Sequence, residues 1–410
     1  MNHRLAAAVV ASACSAPLVA LAQTLAPGSI TNLCTPAVLG DEVVATSAAR
    51  QHAGSQAKPP GIVGPTGFDW PDTPLGVVRS RDGYLFFGSD GSCHANCGKP
   101  TERDGSITRT TGQLHDPLGS DPPLETILPQ SPQFKDNAVV YVGGGPAIRV
   151  PGGHPGAGNL LMIYSAARWT NLRKQDGNYV YTGLAKSTDE GRSWTDLGFI
   201  ITAQERFEPG APSRRNTYSG GEGNLLPDPT GKYFYVYFQD KETHGGFKGS
   251  HYTFFSVARV PMDALLAAAF DGSGRTGLPA FRKYYQGRWD QPGLGGYSTS
   301  ILNPQSDAGE PSVGWSEYLQ RYIVIFDDTK NISYAESVDG ISWAPTVTLL
   351  STPPSEASAL YAVPVGTGPD ANVVDKRFFI FYTYYPAATG WQGATVKRLA
   401  IDCSEATGGE

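Results

Sequence analysis

Five times along this chain one plan recurs. A small or acidic residue in a glycine-rich stretch leads into a β-patterned run, the run ends in aromatics, and one or two further strands follow. The units are TPLGVVRSRDGYLFFGSDGS (Thr73–Ser92), IRVPGGHPGAGNLLMIYSAARW (Ile148–Trp169), GGEGNLLPDPTGKYFYVYFQDKE (Gly220–Glu242), GEPSVGWSEYLQRYIVIFDD (Gly309–Asp328) and SALYAVPVGTGPDANVVDKRFFIFYTYYP (Ser358–Pro386), with ATVKRLAID closing the chain. Units repeating on this scale predict blades around an axis, an all-β, five-bladed β-propeller. A six-bladed ring is the alternative. Composition agrees: 49 Gly, 32 Pro and 20 Tyr among 410 residues, with 17% charged, suit short strands and many turns rather than helical bundles. Only PMDALLAAAF (Pro261–Phe270) reads as a helix, with Pro at its start and Asp in its first turn.

The N-terminus, MNHRLAAAVVASACSAPLVALAQ, has a positive start, an apolar run and a small-x-small site before Gln23. Residues 1–22 are therefore expected to be a signal peptide and the mature protein secreted or periplasmic, with a lipid anchor at Cys14 ranked second. No other run is long enough to span a membrane. Residues 23–60 show weak periodicity and are expected to run as a surface arm, residues 61–403 to form one propeller, and residues 404–410 a tail. Net charge of −6 and the lack of a basic, aromatic-interleaved run argue against nucleic acid as partner.

Cys34, Cys93, Cys97 and Cys403 remain once the leader is removed, and in an exported chain four cysteines suggest two disulfides in one of three pairings. The short CHANC loop favours Cys93–Cys97, which leaves Cys34 with Cys403 to tie the chain ends together. A metal site at CHANC is disfavoured, because ligands so close together hardly reach one ion and no second Cys/His pair is visible. No metal or cofactor is expected, and the protein is expected to be a monomer.

KSTDEGRSW (Lys186–Trp194) and ESVDGISW (Glu336–Trp343) share a Ser-x-Asp…Ser-Trp turn. The first resembles the Asp box of sialidases and related propellers. The blade order resembles five-bladed glycoside hydrolases of the arabinanase and levansucrase type, and Val257–Gly296 resembles bacterial propellers related to endo-D-arabinanases. Asp189 and Asp339, inside the turns, are expected to be structural. The resemblance implies paired-carboxylate hydrolysis of a polysaccharide, such as an arabinan or other furanose polymer. Asp72 stands where that family carries its general base. Glu222, in SGGEGNLL, stands on the blade that carries its general acid. Glu310, in DAGEPSVGW, opens the next blade in a near-identical context and is expected to tune the acid or replace it. The second blade departs from the family: Arg149 and His154 stand at its expected start where those hydrolases often keep an Asp. These two, with Asp90, Trp169, Trp315 and Tyr361, are the expected substrate contacts, aromatic rings suiting the apolar faces of sugars. Two other functions compete. One is a non-catalytic propeller that binds glycan or protein. The other is a sialidase-like exo-glycosidase, since Arg149-Val-Pro resembles the sialidase Arg-x-Pro.

Overall fold

The aromatic runs explain the architecture. YLFFGS, YFYVYFQD, RYIVIFD and RFFIFYTYYP carry apolar residues at consecutive positions, as a strand covered on both faces requires. Each becomes the second strand of its own antiparallel sheet, buried along most of its length. The computed structural model describes residues 30–46, 73–89, 107–119, 124–126, 139–171, 176–204, 207, 217–240, 254–270, 277–302, 309–328, 330–353, 355–389 and 394–405. The segment expected to be a signal peptide, Cys14, Asp72, Asp90, Cys93 and Cys97 lie outside the described residues.

Strand β1 (Cys34–Thr46) comes first and belongs to the last blade. Blade I holds β2 (Gly76–Arg79), β3 (Tyr84–Ser89), β4 (Ile107–Gly112) and β5 (Leu124–Thr126). Blade II holds β6 (Val139–Arg149), β7 (Leu160–Asn171), β8 (Asp176–Ser187) and β9 (Thr195–Ile201). Blade III holds β10 (Thr217–Pro227), β11 (Tyr233–Asp240), β12 (Phe254–Pro261), helix α1 (Met262–Phe270), β13 (Arg282–Tyr285) and β14 (Arg288–Pro292). Blade IV holds β15 (Gly309–Ser316), β16 (Arg321–Asp327), β17 (Asn331–Ser337) and β18 (Val347–Ser351). Blade V holds β19 (Ala357–Val365), β21 (Arg377–Pro386), β22 (Thr395–Glu405) and β1, while the short β20 (Val373–Val374) lies parallel on β15 of blade IV. The protein is thus an all-β, five-bladed propeller. Among the described residues no helix is long and apolar enough to cross a membrane.

The ring closes through the N-terminal segment. Part of the stretch expected to be a surface arm, Cys34–Thr46, instead pairs with β22 from Cys34↔Glu405 to Thr46↔Thr395. An outermost strand has one neighbour and many exposed side chains, so its apolar alternation is faint in sequence. The Cys34–Cys403 disulfide fastens this pair across 369 residues of chain. Glu336, fully buried in blade IV, accepts the N–H groups of Leu33 (2.9 Å) and Cys34 (2.8 Å) and the Tyr334 hydroxyl (3.0 Å). Arg321 reaches both the Thr31 carbonyl (2.6 Å) and Glu336 (3.3 Å). Blades IV and V are thereby latched by the same short segment.

The two Ser-x-Asp turns are structural. In the first, Asp189 accepts the Ser193 amide (2.9 Å) and hydroxyl (2.6 Å), and Ser187 Oγ accepts the Gly191 amide (2.9 Å). In the second, Asp339 accepts the amides of Ile341 (2.8 Å) and Ser342 (2.7 Å). Each tryptophan reaches the preceding blade: Trp194 meets Phe87 edge-on at 5.5 Å, and Trp343 meets Tyr237 at 6.5 Å. Partial burial acts to raise the Asp189 pKa. The hydrogen bonds from Ser193, Ser187 and Arg192 outweigh it, and the net shift is downward. A carboxylate depressed on folding adds stability above its unfolded pKa and loses it as pH falls through the lower folded value. Asp189→Asn is therefore expected to flatten the acid limb of a Tm-against-pH curve below about pH 4. An unchanged acid limb would refute this.

Candidate active site

The innermost strands β2, β6, β10, β15 and β19 surround the propeller axis. Four of them carry a break in register at one common level. Gly145-Pro146 oppose the single residue Ile163, between the pairs Gly144↔Tyr164 and Ala147↔Met162. Glu222-Gly223 oppose Phe238, between Gly221↔Gln239 and Asn224↔Tyr237. Glu310-Pro311 oppose Phe326, between Gly309↔Asp327 and Ser312↔Ile325. Tyr361-Ala362 oppose Tyr382, between Leu360↔Thr383 and Val363↔Phe381. Two residues facing one define a β-bulge, a device that re-aims a side chain and recurs beside active sites. In blade I the buried dipeptide Thr73-Pro74, just ahead of β2, repeats the x-Pro pattern of Gly145-Pro146 and Glu310-Pro311.

One ring of positions thus reads Thr73, Gly145, Glu222, Glu310 and Tyr361. The two glutamates take the same bulge position on neighbouring blades. A small cavity of about 10 Å³ at this level is lined by Thr73, Gly145 and Gly223 among others, so blades I, II and III converge here. One level further along, Leu75, Pro146, Asn224, Val313 and Val363 close around another space of about 10 Å³. The bulge ring therefore stands on a packed floor.

Two polar side chains fix this geometry. Asn224, buried two residues beyond Glu222, donates Nδ2 to the Val313 carbonyl (2.6 Å) and accepts the Val313 amide at Oδ1 (2.9 Å). This two-point clamp joins β10 to β15 and sets the spacing of the two glutamate bulges. Asp327, 1% exposed at the end of β16, accepts the Tyr361 amide at 2.9 Å and so pins the bulge of the following blade. Glu310 and Tyr361 adopt φ of +40° and +63°. Left-handed backbone at non-glycine residues costs roughly 1–2 kcal/mol each, and such strain concentrates at functional sites. Replacing Asn224 with Leu would leave the Val313 N–H and C=O buried without partners. The expected loss is about 2–5 kcal/mol, read from urea unfolding. A loss within error of zero would remove Asn224 from this role.

The expected site residues divide accordingly. Glu310 sits at its bulge, half-buried. The backbone of Glu222 occupies the matching bulge in β10. Tyr361, buried, holds the ring position of blade V. Asp72 immediately precedes Thr73 but lies outside the described residues, as does Asp90. Arg149 and His154 are corrected. They do not start the second blade: β6 begins at Val139, and its apolar pattern is masked by the Gly143–Gly145 run. Arg149 ends that strand, away from the bulges. It forms a two-point ion pair with Glu190, at 2.7 and 2.8 Å. His154 lies in the following turn, bonded to Asp263 in the first turn of α1 at 2.9 Å. Trp169 is near the end of β7. Trp315, near the end of β15, packs edge-on against Tyr322 at 5.1 Å inside an inter-blade core. Arg149, His154 and Trp315 lie away from the bulge ring. Asn224 and Asp327 escaped sequence reasoning, because their partners lie 89 and 34 residues away. The visible signals were the polar residue of GEGN and the acid ending the aromatic run IVIFD.

No family model matches the sequence, and no curated protein matches it. Solved structures do match in chain course. A family 117 glycoside hydrolase from Zobellia galactanivorans is 13% identical with a TM-score of 0.48, over 82% of this chain and 88% of its own. An α-L-arabinofuranosidase from Podospora anserina, solved in complex with cellotriose, is 10% identical with a TM-score of 0.46, over 85% and 94%. A protein of unknown function from Dyadobacter fermentans is 10% identical with a TM-score of 0.45, over 90% and 99%. The likeness is one of blade architecture.

Proposed function

We propose that the protein is an exported glycoside hydrolase that cleaves a polysaccharide, an arabinan or another furanose polymer, with a carboxylate pair at the bulge ring. The observation that carries this is the placing of Glu222 and Glu310 at identical bulges on adjacent innermost strands, with strained backbone at Glu310. Glycoside hydrolysis needs one carboxylic acid to protonate the leaving oxygen and one carboxylate to activate water or attack the sugar. Glu222 is assigned as general acid and Asp72 as base or nucleophile. Glu310 tunes Glu222 by like-charge repulsion, which raises a neighbouring carboxyl's pKa, or serves as the acid itself. Tyr361 is the remaining substrate contact at the ring.

One observation favours a second reading, a propeller that binds glycan without cleaving it. The blade II counterpart of the glutamates is Gly145, and a Cβ there would lie 2.2 Å from the Pro74 carbonyl oxygen. Blade II therefore has no room for an acid at that position. Incubation with a panel of arabinans, arabinogalactans and other polysaccharides, assayed for released reducing ends, separates the two. Hydrolysis requires release from at least one member. Retention on an immobilised polysaccharide without release from any supports binding alone.

A further inference from the structure

At the other end of the innermost strands a groove of about 810 Å³ lies between blades I and II. Its walls are the β2–β3 turn, the end of β4 with the turn after it, and the Asp-box turn of blade II. Five guanidinium groups line it: Arg79, Arg81, Arg109, Arg149 and Arg192. Among the described residues only Asp82, Asp116 and Glu190 oppose them, in a chain whose net charge is −6.

The groove is built rather than accidental. Glu190 organises one wall: its carboxylate takes both ends of the Arg149 fork, and its carbonyl accepts Arg109 Nε at 2.7 Å. Arg149 also donates to the carbonyls of Gly158 (2.6 Å) and Arg79 (3.0 Å). Asp116 is engaged in its own turn, accepting the Gly119 amide at 3.1 Å. Arg79 lies over the Tyr84 ring at 4.6 Å, and Arg81 is exposed at the turn. Neither Arg79 nor Arg81 has a carboxylate partner among the described residues. Planar guanidinium forks pre-set in a concave site match carboxylates bidentately. Thr111, Gln113 and His115 add hydrogen-bonding side chains suited to hydroxyl groups.

We infer that this groove binds an acidic saccharide, a uronic-acid-containing oligosaccharide gripped through its carboxylates. The saccharide half rests on the proposed function; the anion half does not. The groove lies apart from the bulge ring and would hold substituted stretches of a polymer while the ring works on others.

The test is calorimetric titration of the mature chain with trigalacturonate, in a Glu222→Gln background so that binding is read without turnover. Binding is expected to weaken about tenfold or more in Arg81→Ala, the size of a lost charge-assisted bond, and to weaken as salt rises. Arg192→Ala provides a second exposed variant, and neutral arabinotriose and inorganic phosphate are expected not to compete. No binding of trigalacturonate, or binding unaffected by both substitutions, would overturn the inference. So would inorganic phosphate competing at equal concentration, which marks a simple anion site. Reducing-end release by the wild type is measured in parallel. Trigalacturonate binding through Arg81 in a protein that cleaves nothing would leave the groove standing and the hydrolase assignment fallen.

Discussion

Glu222→Gln is expected to lower kcat on the true substrate by about 10²- to 10⁴-fold, the range general acid catalysis contributes. Glutamine keeps the size of the side chain and the hydrogen-bonding capacity but carries no transferable proton. KM should move little, because the substitution removes an interaction made in the transition state rather than in binding. Glu310→Gln separates the two roles left to that residue. If Glu310 is the acid, its loss equals that of Glu222→Gln. If it tunes Glu222, the acidic limb of the pH–rate profile stays and the basic limb moves to lower pH, since removing a neighbouring negative charge lowers a carboxyl's pKa. Full activity in both variants would end the assignment.

The second large effect concerns ring closure. Cys403→Ala is expected to cost about 2–5 kcal/mol, the usual loss for a native disulfide, and this bridge closes one of the longest loops the chain allows. Glu336→Ala is expected to cost about 3–5 kcal/mol, because it leaves Arg321, the buried Cys34 amide and the part-buried Leu33 amide without their shared acceptor. Both act on one latch, so the double variant should lose less than the sum of the single losses. Urea unfolding of the three variants measures this. Strict additivity would mean that the disulfide and the carboxylate hold independent parts of the ring.

The fold was readable where its determinants are local. Aromatic runs marked buried strands, and PMDALLAAAF marked α1. The turns at Asp189 and Asp339 fell outside any catalytic role because their bonds are made within five residues. What stayed hidden depends on partners far along the chain. Strand β1 finds β22 more than 340 residues later. Arg149 sits beside apolar residues on either side in sequence, and only the register of β6 against β7 shows which end of the strand it occupies. The candidate site was half legible. Acids flanked by glycine or proline flagged Glu222 and Glu310, but their equivalence is a matter of bulge register, which no single strand's sequence displays. Asn224 and Asp327 support that geometry across blade boundaries.

The bulge ring is proposed as one reactive centre. A crystal structure of the Glu222→Gln protein with an oligosaccharide released by the wild type tests it most directly. A glycosidic oxygen is expected within hydrogen-bond reach of residue 222. A second carboxylate, from Asp72 or Glu310, is expected about 5–9.5 Å away across the sugar, the shorter distance meaning retention and the longer inversion. A saccharide bound with neither glutamate position within reach would contradict it.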